Sequence, residues 1–191
     1  MMKRDKALEI IARQYPDGIV VAVYQTAFDW LAIRPHPLNY VGVGAMGQAS
    51  SHALGLALGR PDRKVVVLDG DGSLLMNLGT LVTVAQAGPP NLIHFVSYNG
   101  TYEVNGRYPI PGGGAIDFCA LARAAGYSRT YHFSEIEDLA ERIPDVFAGA
   151  GPVFAVLEVE TGIEYPRDFS IIHSPHMRRT FHQALKQLAS K

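Results

Sequence analysis

An aspartate set between two glycines, Gly70-Asp71-Gly72, and an asparagine 28 positions further on (99 − 71), Asn99, are the residues of this chain best suited to chemistry. A carboxylate and a side-chain amide offer oxygen to a hard cation such as Mg²⁺, which takes one or two protein ligands and the rest from phosphate and water. A loop carbonyl, that of Thr101, completes the protein's share. Gly70 and Gly72 let the backbone approach a ligand closely, and the amides at Ser73 and Leu74 open a helix whose positive end favours an anion. The pattern reads as a magnesium-bridged diphosphate, with Asp71, Asn99 and Thr101 on the metal and Gly70, Gly72 and Ser73 around the phosphates. Either half alone is an ordinary tight turn. Both halves, at the two ends of one crossover, carry the reading.

The elements that must position these residues are legible around them. The apolar run 65–68 predicts a strand, apolar residues at helical spacing (Leu74, Leu75, Leu78, Leu81, Val82, Ala85) predict a helix over 73–87, and 91–98 predicts a second strand. Strand, helix and strand make a βαβ unit. A helix of about 13 residues is roughly 20 Å long, and a strand of about 7 spans roughly 23 Å. The chain therefore returns to the edge it left, and Asp71 and Asn99 belong side by side at the carboxyl ends of neighbouring parallel strands, where open α/β sheets bind ligands.

Further along, the pattern predicts an amphipathic helix over 4–15, a strand over 19–24 buried on both faces, and a short strand over 39–43. Gln25-Thr26 suits a diphosphate contact, although a helix N-cap at Thr26 explains it equally well. The small residues of 48–58 make a helix fit for close packing, on a partner subunit or within the domain. The Gly- and Pro-rich stretch 100–114 reads as a lid loop. A helix over 116–125, a strand over 128–133, a capping box at Ser134 and Glu137, and a strand over 152–159 follow. A C-terminal helical extension begins near 173, its helix over 174–189 carrying Met177, Phe181, Leu185 and Leu188 on one face. Residues 1–191 are expected to form a single doubly wound α/β domain, a mostly parallel sheet flanked by helices.

Composition narrows the function. A net charge of −1 over 191 residues gives no footprint for nucleic acid or an anionic membrane, and no signal peptide or membrane-spanning run is visible. Cys119 is the single cysteine, so no intrachain disulfide forms, which suits the cytoplasm. Its helical context marks it as a core residue, as that of His52 marks a structural one. Gly42-Val-Gly44-Ala-Met-Gly47 formally matches a dinucleotide fingerprint, with Asp69 near the place of the ribose-binding acid. The run before it is short and interrupted, and that reading leaves Asp71 and Asn99 without a role.

Gly70-Asp71-Gly72 followed by Asn99 resembles the cofactor motif of thiamine diphosphate (ThDP) enzymes, and Gly44-Ala45-Met46-Gly47 looks like their aminopyrimidine-holding loop. The runs MGQASSHALGLALG, GDGSLLMNLGTLVT and YNGTYEVNG bring the chain nearest to sulfopyruvate decarboxylases of the β-subunit type and to phosphonopyruvate decarboxylases, over about residues 20–162. The resemblance implies the diphosphate-binding domain of a 2-oxoacid decarboxylase with ThDP and Mg²⁺ as cofactors. It implies that the Gly44 carbonyl accepts a hydrogen bond from the aminopyrimidine and that Met46 is the wedge bending the cofactor. Val104 and Asn105, fifth and sixth after the asparagine, would face a small 2-oxo acid under a short covering helix. The sulfopyruvate pattern there is closer to Thr-Gly-Gly-Gln, whereas this chain has Asn105-Gly106-Arg107-Tyr108. Arg107 is either an ion-pair partner for a sulfonate or phosphonate or a solvated surface arginine. No catalytic residue is nominated here, because the family's activating glutamate sits on the pyrimidine-binding domain. A pyrimidine-binding α-type partner in a hetero-oligomer, dimer or larger, is therefore expected. The alternatives are a subunit of another ThDP decarboxylase or carboligase, a non-catalytic ThDP-binding subunit, and a dinucleotide-binding protein.

Overall fold

In the computed structural model, which describes residues 1–161 and 167–189, the chain alternates strand and helix for most of its length. It runs through β1 (Met2–Lys3), α1 (Arg4–Gln14), β2 (Ile19–Ala22), α2 (Tyr24–Ile33), β3 (Asn39–Tyr40), α3 (Ala49–Gly59) and β4 (Val65–Gly70). Then come α4 (Asp71–Leu75), α5 (Gly79–Ala87), β5 (Leu92–Tyr98), a small hairpin of β6 (Thr101–Tyr102) and β7 (Tyr108–Pro109), and α6 (Phe118–Ala125). β8 (Arg129–Phe133), α7 (Ile136–Phe147), β9 (Val153–Glu160), α8 (Phe169–Ile172) and α9 (Pro175–Ala189) complete it. Gly162, at the far end of the stretch carrying the family likeness, lies outside the described residues.

The main sheet is parallel throughout, in the order β1-β9-β5-β4-β2-β3, with β8 along Val153–Leu157 of β9. Alternation along the strands divides the core in two. Val66, Leu68, Ile93 and Phe95 face a layer with Leu8 and Ile11 of α1, Trp30 of α2 and Leu139 of α7. Val65, Val67, Leu92 and Val96 face Ala53 of α3, Leu81 of α5 and Ala122 of α6. This is the expected doubly wound α/β sheet. The small residues of α3 serve packing within the fold: Ala49, Ala53 and Ala57 are buried, and Ser50 Oγ donates to Thr80 Oγ1 at 3.0 Å. Cys119 and His52 are structural as expected. The thiol donates to the Tyr131 carbonyl at 3.2 Å, and the imidazole stacks on Tyr40. Phe181 of α9 packs against the same Tyr40 ring at 5.2 Å between centroids, so the C-terminal helix covers the β3 edge. No helix among the described residues is long and apolar enough to cross a membrane.

Several local expectations are corrected. The helix expected over 73–87 is broken at Met76–Leu78 into α4 and α5. There the amides of Met76 and Asn77 bond three residues back, and Asn77 Nδ2 donates to the Gly47 carbonyl at 3.1 Å, a tertiary tie that overrides helical spacing. The strand expected over 19–24 stops at Ala22, because Tyr24 adopts φ 47 and begins α2. Thr26 lies inside that helix and is not its cap; its hydroxyl lies 2.6 Å from the Val23 carbonyl. Only Asn39–Tyr40 of the 39–43 strand pairs, and the helix expected from 116 starts at Phe118, capped by Asp117. The Ser134–Glu137 capping box is absent: α7 starts later, with Glu135 at the cap, and Asp138 pairs with Arg142 at 3.1 Å. The C-terminal helix starts at Pro175, preceded by α8, and the lid stretch is a hairpin around a 3₁₀ turn, Glu103–Asn105. β1 had no forecast at all.

Because Ile11 is fully buried where α1 meets the sheet, α1 belongs to the core and is not an appendage. Ile11→Ala should cost about 2–5 kcal/mol in urea unfolding, the ordinary range for deleting buried methyl groups.

Candidate functional site

β2 and β4 are neighbours whose following helices leave to opposite faces, α2 into one core layer and α5 into the other. That divergence opens a crevice at the carboxyl ends of the two strands, the place where doubly wound sheets hold ligands. A pocket lies there, lined by Met46, Gly70, Asp71, Gly72, Ser73, Asn99, Thr101, Val104 and Asn105. These are all the expected site residues but one. Gly44 lies outside this pocket, exposed in its loop at φ 76, so the structure does not bring it together with the others.

Asp71 opens α4 and Asn99 follows β5, the strand beside β4. The two residues meet directly. Asp71 Oδ2 accepts from Asn99 N at 3.0 Å and Gly100 N at 2.7 Å, and Oδ1 accepts from Gly72 N at 2.7 Å. Burial pushes the Asp71 carboxyl up to about 6, against the pull of those backbone donors. Asn99 Oδ1 accepts from Thr101 N at 2.8 Å and from Thr101 Oγ1 at 3.1 Å. No three His, Cys, Asp or Glu side chains converge as a metal site among the described residues. A carboxylate with one oxygen lightly engaged, an amide oxygen and open space suit a cation that draws its remaining ligands from phosphate and water, as Mg²⁺ does. The fit extends to the backbone, since a Cβ on Gly70, which lines the pocket, would meet nothing within 4 Å and would only fill the crevice.

The upstream loop is stapled to this turn. Gly47 N donates to Ser73 Oγ at 3.0 Å, and Gly47 holds φ 80 with Asn77 packed against its α-carbon. Met46 thereby reaches the pocket half-buried. On the other side the hairpin closes down: a Cβ on Gly72 would come within 2.5 Å of the Tyr102 ring and 3.3 Å of Ile110. Gly72 is required by this close approach. Val104 and Asn105 sit on the 3₁₀ turn facing the pocket, whereas Arg107 is exposed at φ 61.

Two residues the sequence reading did not anticipate, Arg4 and Glu103, line the same pocket beside Gln25, which it did name. Glu103, in the 3₁₀ turn, accepts from Asn99 Nδ2 at 3.0 Å and is forked by the guanidinium of Arg4. Arg4 also donates to Asp29, and both partners are buried. Burial opposes the charge on Arg4, but the Glu103 hydrogen bond and the fields of both carboxylates outweigh it and raise its pKa. Gln25 donates to Asp29 Oδ1 at 2.9 Å, and its own oxygen has no protein partner. One signal was present in the sequence: Arg4 shares helix positions with the buried Ala7, Leu8 and Ile11, a charge on an apolar face.

The dinucleotide alternative fails on geometry. β3 before Gly42 is two residues long, and Asp69 is buried against His94, Oδ2 to Nε2 at 3.3 Å, where no ribose reaches it.

Residues 21–159 match the model for the thiamine pyrophosphate enzyme, C-terminal TPP binding domain. The chain is 39% identical to the sulfopyruvate decarboxylase subunit beta of Methanothermobacter thermautotrophicus over 163 residues, 85% of this chain and 84% of that one. It is 35% identical to phosphonopyruvate decarboxylase of Streptomyces viridochromogenes over 161 residues, 83% of this chain, and spans only 40% of that relative's length. An X-ray structure ascribed to a thiamin diphosphate-dependent enzyme from Mycobacterium smegmatis superposes with a TM-score of 0.70 at 23% identity, over 84% of this chain and 32% of that one, a likeness of fold.

A proton on Asp71 competes with a cation for the same oxygen. With its carboxyl near 6 in the metal-free chain, Mg²⁺-dependent ThDP binding measured by calorimetry should be flat above pH 7. It should weaken progressively below about pH 6, approaching tenfold per unit. Binding as tight at pH 5 as at pH 7.5 would contradict this. Gly72→Ala should displace the hairpin, costing about 1–3 kcal/mol in unfolding experiments.

Proposed function

Because this chain belongs to the thiamine pyrophosphate enzymes, through their C-terminal TPP-binding domain, we propose that it is the diphosphate- and Mg²⁺-holding β-type subunit of a two-chain ThDP-dependent decarboxylase. Its substrate in this reading is 3-sulfopyruvate, which it converts to sulfoacetaldehyde and CO₂. The observation that carries the reading is the meeting of Asp71 and Asn99 across the carboxyl ends of β4 and β5.

Bound ThDP supplies the electron sink that lets CO₂ leave a 2-oxo acid. The chain's own residues bind and orient. Asp71, Asn99 and the Thr101 carbonyl would hold the cation, and Gly70, Gly72 and Ser73 would admit the diphosphate. α4 is a single short turn whose Gly72 amide is already engaged by Asp71. The anion therefore leans on the cation more than on a long helix dipole. Met46 would brace the cofactor from below and the Gly44 loop would meet its pyrimidine end. The hairpin carrying Tyr102, Val104 and Asn105 would cover the reacting face and exclude water. Val104 and Asn105 are the nearest side chains for substrate selection.

The relatives named subunit beta motivate an α-type partner bringing the pyrimidine side and its glutamate. The 35% identity to phosphonopyruvate decarboxylases keeps phosphonopyruvate as the second substrate reading. Calorimetry with Mg²⁺ and ThDP should show binding that Asp71→Ala and Asn99→Ala each weaken by more than the roughly 10–100-fold typical of losing an outer-shell partner. Sulfopyruvate, phosphonopyruvate and pyruvate assayed with the chain alone and with its co-expressed partner should give turnover only in the pair, fastest on sulfopyruvate. Turnover by the chain alone refutes the two-chain reading, and faster turnover of phosphonopyruvate selects the second substrate.

A further inference from the structure

A buried charge cluster is built on a residue outside the family-matching segment of residues 21–159. Arg4, at the first turn of α1, is 1% exposed. Its Nε donates to Asp29 Oδ2 at 2.5 Å, and its two terminal nitrogens fork Glu103. Neither carboxylate ends the chain of contacts. Asp29 Oδ1 accepts from Gln25 Nε2 at 2.9 Å, and Glu103 Oε2 accepts from Asn99 Nδ2 at 3.0 Å. Both terminal amides line the cofactor pocket.

An ionised carboxylate only accepts hydrogen bonds, so each one binds the NH₂ end of its carboxamide and turns the oxygen end away. Asn99 Oδ1 accordingly points back to Thr101. Gln25 is 5% exposed, and its Oε1 is buried without a partner. A single guanidinium thus sets the sense of two amides that line one pocket. The plain alternative is that Arg4 merely ties the N-terminus down. Stability is a weak reason for such a cluster, since a buried ion-pair triad is often no better than apolar side chains of similar volume. The planar fork, which reaches two carboxylates in two directions, is what a lysine lacks.

We propose that Arg4 is a positioning residue of the cofactor site, acting through Asp29 on Gln25 and through Glu103 on Asn99 so that each amide turns its oxygen away from the carboxylate, Asn99 Oδ1 onto the Thr101 turn and Gln25 Oε1 into a place without a protein partner among the pocket-lining residues. The proposal rests on the cofactor reading above.

Arg34→Lys is the control. Arg34 is also buried, at 7% exposure, but it serves the opposite end of β2, donating to the carbonyls of Pro16 and Gly18 and to Asn39. In the full-length chain both Arg4→Lys and Arg34→Lys should lower the melting temperature. Arg4→Lys should weaken Mg²⁺–ThDP binding at 20 °C by about tenfold or more, and Arg34→Lys by less than about twofold, the contrast expected of an outer-shell partner against a remote one. Equal losses, or wild-type affinity in Arg4→Lys, overturn the proposal. A second readout needs no ligand: the side-chain amide resonances of Gln25 and Asn99 in the metal-free chain should move in Arg4→Lys and stay in Arg34→Lys. Unmoved resonances in Arg4→Lys also overturn it. A wild-type chain that binds no ThDP sinks the cofactor reading, while the amide resonances still decide whether Arg4 orients these groups. Should Arg4→Lys not fold, Glu103→Gln and Asp29→Asn replace it. The first should move the Asn99 amide and the second the Gln25 amide, and failure of that separation overturns the proposal.

Discussion

The architecture depends on one buried carboxylate. Asp71 stands where β4 becomes α4 and accepts backbone N–H groups from the far end of β5, at Asn99 and Gly100. Those donors have no strand partner at that point, and a carboxylate is the acceptor that satisfies them most strongly. The bond therefore does two things at once. It joins the ends of adjacent parallel strands, and it presents a charged oxygen at the crevice that the diverging helices open. Charge is kept here against the cost of burial, which is why the carboxyl is pushed up to about 6 without a cation beside it. A group arranged this way favours a bound cation at the expense of the metal-free fold, the usual trade at binding sites.

Around that carboxylate the pocket is assembled from four separate parts of the chain. Ser73 and Asn77 fasten the Gly47 loop. Tyr102 and Ile110 bring the hairpin down on Gly72. Asp29 and Glu103 share one arginine from the N-terminal helix. Each tie is a polar or steric contact between segments far apart in sequence, so the pocket forms only when the whole sheet is in place. Two carboxylates against one guanidinium leave an excess negative charge beside the site, which complements a cation and discourages a bare anion.

The errors in reading local structure are of more than one kind. Helical spacing over 73–87 is real, yet the Asn77 side chain bonds to Gly47 and the helix breaks there. The Ser134–Glu137 box has the right letters, but the helix starts later and Asp138 spends its charge on Arg142. At Asn77 a contact of comparable strength, about 1 kcal/mol per hydrogen bond, competes with the local rule, and at Ser134 the backbone enters the helix later, with Glu135 at the cap. The two-residue strand β1 had no local pattern to show, since it exists only by pairing with β9.

Sequence alone determined the alternation of strand and helix, the parallel α/β class, and the convergence of Asp71 with Asn99, because periodicity and element length fix where a βαβ unit returns. Asp71, Asn99, Thr101 and the Gly70–Ser73 turn were legible for that reason, while Met46 and Gly44 were named by likeness alone; Met46 lines the pocket and Gly44 lies outside its lining. Only the tertiary structure decided the roles of Arg4, Asp29 and Glu103, and that Asp29 holds Gln25, a residue the sequence had already suited to a diphosphate contact. An arginine on an apolar helix face hints that it is buried but cannot say with whom. Partners brought together by sheet order, 25 positions apart for Asp29 and 99 for Glu103, leave no periodic trace in the chain.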